Sequence, residues 1–114
     1  MKCFVIEKWL EPYVILEKFK ERFECHDLTF DGFSKNKAKE NMLSIIENSD
    51  NCTVGIYMKN VNKFYVMTSR EDDALKCVFE DLNLVQEDIK TDSVENGIML
   101  VDIARAEFIV VQKD

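Results

Sequence analysis

Residues 2–6 form a short apolar run long enough for a first strand. Pro12 follows at a position that a first helical turn tolerates. Ile15, Leu16, Phe19 and Phe23 then fall at i, i+1, i+4 and i+8, so the spacing predicts a helix over roughly 11–24. Glu17, Lys18, Lys20, Glu21 and Arg22 supply its solvated face. The stretch 28–33 reads either as a short strand or as an ordered loop turning at Asp31-Gly32. Ser34 is placed to cap a second helix running to about Asn48, with Ala38, Met42, Ile45 and Ile46 on one stripe. Lys35, Lys37 and Lys39 crowd the start of that helix, where its dipole disfavours cations, so an acidic segment of the same chain is expected nearby.

Two alternating runs, 52–59 and 63–68, flank Asn60-Val61-Asn62 and read as a hairpin. The alternation places Val54, Ile56 and Met58 with Phe64 and Val66, and puts Tyr57, Tyr65 and Met67 on the other face. Both faces are therefore apolar and both need a cover. Ser69 and Asp72 have capping-box spacing ahead of Ala74, Leu75, Val78, Phe79 and Leu82, which predicts a third helix over about 70–82. Beyond a turn near Asn83, a polar strand is expected over 88–94. Asn96-Gly97 is the strongest hairpin signal in the chain, leading into strands over 98–104 and 108–112. The order of elements favours an α+β fold, a mostly antiparallel sheet of about five strands with two or three helices packed on it.

The 114 residues suit one domain over 1–114, and 46 % hydrophobic content suffices for a single core. Charge adds a bias that the pattern alone does not show. Of the net charge of -7, residues 1–69 contribute nothing, whereas 70–95 hold nine acids against Arg70, Lys76 and Lys90, six of the seven excess negative charges. Those acids are Glu71, Asp72, Asp73, Glu80, Asp81, Glu87, Asp88, Asp92 and Glu95. Gathered into one outward patch, they would repel nucleic acid and anionic membranes and attract a basic protein. An ordinary solvated face that keeps the chain in solution is the plainer reading. Direct nucleic-acid binding is not expected, because the chain has no Lys/Arg stripe to neutralise phosphates.

The apolar start is interrupted by Glu7 and Lys8 before a signal-peptide core is complete. The longest uncharged apolar runs, 97–101 and 108–111, fall far short of the ~18 residues that span a bilayer. A cytoplasmic setting is expected, and Cys3, Cys25, Cys52 and Cys77, with no C-x-x-C pair, read as reduced packing residues. One His with scattered cysteines does not give metal-ligand spacing, and nothing points to a cofactor. His26 is the only imidazole. Cys25 and Asp27 flank it, but neighbours in an extended segment point to opposite faces, so no Cys-His pair follows. Phosphate-cradling glycines, a G-x-S-x-G elbow and an H-E-x-x-H helix are all missing from the sequence.

These features suggest a non-catalytic inhibitor of a basic protein. Immunity proteins and antitoxins that neutralise nuclease-type toxins are of this kind, as are phage proteins that block a defence enzyme. The nine acids would form its binding face, with Trp9, Tyr13, Tyr57 and Tyr65 as candidate anchors. The alternative is a homo-oligomeric structural or regulatory module, in which a homodimer covers Tyr57, Tyr65 and Met67. A small-molecule enzyme or sensor is third, its sign being a cleft that converges on Cys25, His26 and a carboxylate.

Overall fold

The computed structural model describes residues 1–27 and 34–113. The expectation for 28–33 lies outside the described residues. Strand β1 (Lys2–Ile6) leads into helix α1 (Pro12–Arg22), which is capped by the Glu11 carboxylate accepting from Tyr13 N, and then into a short strand β2 (Cys25–Asp27). Helix α2 (Lys35–Glu47) starts at Ser34, whose hydroxyl accepts from Lys37 N at 3.2 Å. The hairpin is β3 (Cys52–Met58) and β4 (Lys63–Thr68). It is followed by α3 (Ala74–Asp81), β5 (Ile89–Asp92), α4 (Val94–Leu100) and β6 (Phe108–Lys113).

The fold is α+β, with six antiparallel strands and four α-helices among the described residues, slightly more of each than the sequence pattern suggests. Strand order is β2-β6-β3-β4-β1-β5. Strand alternation divides the apolar residues into two cores. On one face, Cys3, Val54, Ile56, Tyr65 and Met67 pack under Met42 and Ile46 of α2 and Ile98 of α4. On the other, Ile6, Tyr57, Phe64 and Val66 pack under Ile15 and Phe19 of α1 and Val78 and Phe79 of α3. β3 is buried at all seven positions, as a central strand covered on both sides must be.

The hairpin faces differ from the expected grouping. Residues 59–62 form the turn, with a 3-10 segment at Lys59–Val61 and Asn62 at a left-handed φ of 52°, so Met58 pairs with Lys63 and Ile56 with Tyr65. Cross-strand partners share a face, and one extra turn residue reverses the parity. Val54, Ile56 and Met58 therefore join Tyr65 and Met67, and Tyr57 joins Phe64 and Val66.

Helix α3 starts at Ala74, later than expected, because the residues of the supposed capping box bond elsewhere. The Ser69 hydroxyl accepts from Cys52 N at 3.0 Å, and the Asp72 carboxylate holds Arg70 as well as Ala74 N.

The largest departure is at Asn96-Gly97, which lies inside α4 and not in a hairpin; no strand forms over 98–104. Ser93 caps α4 by accepting from Asn96 N, and the Asp92 carboxylate accepts from the Asn96 side chain. Gly97 serves close approach, since a Cβ there would lie 2.5 Å from Cys3 Sγ. After α4 a 3-10 turn, Ile103–Arg105, leads into β6.

Alanine at residue 97 favours helix by about 1 kcal/mol in isolation, yet overpacking against β1 costs about 1–3 kcal/mol. Gly97→Ala is therefore expected to lower the melting temperature, and Cys3→Ala in the same chain to restore part of it. Thermal unfolding of the two single variants and the double variant measures the coupling, and a rise in Tm for Gly97→Ala alone would contradict the close contact.

Candidate functional site

The segments that carry the nine acids gather at one end of the sheet. β5 pairs with β1, α3 packs on β1 through an edge contact between Phe79 and Phe4 with centroids 5.5 Å apart, and α4 lies on Cys3 through Gly97. The acids therefore surround the β1–β5 edge, but on both sides of it. Glu71, Asp72, Asp73, Glu80 and Asp81 belong to the side of α3. Glu87 and Asp88 stand at the start of β5, and Asp92 and Glu95 lie on the side of α4.

Several of these charges are matched internally. Arg22 Nε bonds Asp81 at 2.7 Å, joining α1 to α3, and Arg70 Nη2 bonds Asp72 at 2.6 Å. The Arg70 guanidinium also lies 5.1 Å from the centre of the Phe23 ring, which ties the loop before α3 to the end of α1. Lys8 is 3.5 Å from Asp88 and Lys76 is 3.5 Å from Asp73. Asp92 accepts from Ser93 N and Asn96. Glu71, Glu80, Glu87 and Glu95 make no ion pair among the described residues, and all four are exposed. The acids expected in one outward patch lie on segments on both sides of the β1–β5 edge. The acid expected near the crowded lysines of α2 is Asp102, 3.8 Å from Lys35.

Between α3 and β5 lies a groove of about 460 Å³. Phe4, Leu75, Phe79 and Ile89 give it an apolar floor, and Lys2, Arg70, Lys76 and the Glu71-Asp72-Asp73 triplet form its rim. The floor is not legible in the sequence, because it depends on β1 pairing with β5, which sets Phe4 opposite Thr91 and Ile6 opposite Ile89, partners more than eighty residues apart.

The four aromatic candidates separate cleanly. Tyr57 and Tyr65 are core residues whose phenols burial pushes above their ordinary pKa. Trp9 and Tyr13 are 57 % and 71 % exposed. Glu7 to Lys90 at 3.1 Å and Lys8 to Asp88 hold the chain after β1 against β5, so Trp9 belongs to the acidic end of the molecule. Val85, also exposed, donates its N–H to the Asp88 carboxylate that Lys8 approaches. Burial of Tyr57, Tyr65 and Met67 by the chain's own helices leaves nothing at those residues for a dimer to cover.

Cys25 is half-buried beside the α1/α3 core, while His26, next along edge strand β2, is exposed. Neither of them lines the groove between α3 and β5. All four cysteines are thiols. Burial, helped by the charge of Asp92, pushes the Cys3 thiol up to about 11. No three His, Cys, Asp or Glu among the described residues are arranged to hold a metal ion, and no helix among them is long and apolar enough to cross a membrane. Comparison with protein-family models, curated proteins and solved structures gives no match.

Hydrogen bonds from Arg22 and Arg70 hold Asp81 and Asp72 below the ordinary carboxylate range. Each thus contributes stability that is present above the unfolded value of about 4 and lost as pH falls through the folded one. The urea midpoint is expected to drop from about pH 6 to about pH 3, and to drop less in the Asp72→Asn/Asp81→Asn chain, which starts lower at neutral pH. Thiol labelling followed by mass spectrometry at neutral pH is expected to modify the half-buried Cys25 and Cys77 well before Cys3. Equal rates would show that β1 opens readily.

Proposed function

We propose that this chain is a protein-binding module that neutralises a basic protein through the edge around β5, in the manner of an immunity protein or antitoxin acting on a nuclease-type toxin, or of a phage protein acting on a defence enzyme. One observation carries the reading. Glu71, Glu80, Glu87 and Glu95, exposed and without an ion pair among the described residues, lie on the segments around β5, and Glu7 and Lys8, which meet Lys90 and Asp88, lead into the exposed Trp9. Unmatched carboxylates raise the encounter rate with a cationic surface by long-range attraction, and an exposed tryptophan supplies the desolvated anchor that charge alone does not. The matched acids have a different role here: Asp72 and Asp81 hold the loop and α3 in place, so that the unmatched ones keep a fixed spacing. Four thiols suit a reducing compartment such as the cytoplasm.

The test uses the tagged full chain as bait in extract of its own cells, beside a Glu80→Lys/Glu87→Lys/Glu95→Lys chain that leaves every described ion pair intact. A basic protein retained by the first, lost from the second, and released by salt between about 50 and 200 mM is the expected result. Retention that ignores both the reversals and the salt overturns the electrostatic reading. Trp9→Ala is expected to weaken the same complex by about 2 kcal/mol or more, read as faster dissociation. Cys25→Ala and His26→Ala are expected to leave it unchanged, and a loss of biological activity in either, with normal stability, would point to catalysis.

A further inference from the structure

Resting on that reading, we infer that the basic partner docks by β-addition: an extended segment with alternating cationic and apolar side chains pairs with the outer edge of β5 and sets its apolar side chains in the groove beside α3. β5 is the last strand in the sheet order, and its outer edge is unpaired among the described residues. Lys90, Thr91 and Asp92 are exposed. Such an edge offers a row of backbone donors and acceptors to another chain. A lysine on an edge strand commonly guards it, but Lys90 is drawn back over β1 by Glu7 at 3.1 Å.

The groove supplies the second requirement. Ile89 and Thr91 line it from β5, and Leu75 and Phe79 from α3, so a strand laid about 4.8 Å beyond β5 would turn every second side chain toward it. Its 460 Å³ accommodates a few apolar side chains but no helix. Charge then selects the occupant. Residues 70–95 carry six excess negative charges, so a second copy pairing β5 with β5 would bring two such edges together. A segment with lysine or arginine at alternate positions, its apolar side chains in the groove, instead turns its cations to the opposite face, where Asp92 and Glu95 lie on the side of α4.

The probe is a ten-residue peptide of alternating lysine and valine, added to the full chain. It is compared with the same peptide N-methylated at every backbone amide, which keeps the side chains and charge but has no backbone N–H donors. Binding is read by calorimetry, and contact with β5 by amide hydrogen exchange at 89–92. The first peptide is expected to slow exchange at 89–92 about tenfold and to bind about tenfold more tightly than the second. Thr91→Trp, at an exposed position that fills the groove, is expected to weaken it by a similar factor. Equal binding of the two peptides, unchanged exchange at 89–92, or indifference to Thr91→Trp overturns the inference. So does a concentration-dependent dimer that protects 89–92 without any peptide. If the bait experiment above recovers a charge-dependent basic partner that leaves 89–92 unprotected, only the β-addition fails; if it recovers none, the underlying reading fails.

Discussion

Strand β3 is buried at every position, and that requirement governs the rest of the molecule. A strand apolar on both faces must lie in the interior of a sheet and must have cover on both sides. β4 and β6 flank it, and the two helix pairs, α1 with α3 and α2 with α4, supply the cover. At its buried end the two threonines of the hairpin satisfy each other, Thr53 and Thr68 hydroxyls lying 2.9 Å apart. With both faces covered by the chain's own helices, the edges of the sheet are what stays uncovered among the described residues.

The rim is where charge is concentrated, and chain order explains why. Residues 69–95 leave β4, cross one face as α3, return as β5 beside β1 and start α4 on the opposite face. An acidic block in sequence thus becomes an acidic border around one edge. Arg22 and Lys8 from outside the block and Arg70 within it pair with Asp81, Asp88 and Asp72, while Glu71, Glu80, Glu87 and Glu95 make no ion pair among the described residues.

What the sequence discloses is the local part. Helices α1 and α2 and strands β1, β4 and β6 follow from apolar spacing and from caps such as Ser34, because those signals are complete within a few residues. Asn96-Gly97 misleads for the opposite reason. In isolation the pair favours a tight turn, but Ser93 caps a helix three residues earlier, and Gly97 is the residue that lets this helix lie on Cys3, a contact ninety-four positions away. The Ser69–Asp72 signal fails similarly, since the hydroxyl is taken by Cys52 N. Of the candidate site, the list of acids was readable, but the groove, the exposure of Trp9 and the choice between matched and unmatched carboxylates all depend on which strand lies next to which.

The position of β6 has a consequence for how the molecule comes into being. Although it is the final strand of the fold, it is inserted between β2 and β3, not added at a border. During synthesis the ribosome releases β2 and β3 long before it releases their shared neighbour, so Val54 and Ile56 wait with an open seam beside them. Completion of this sheet therefore waits for β6 and depends on a long-range closing step, and until then the β3–β4 hairpin lacks its neighbour on one side.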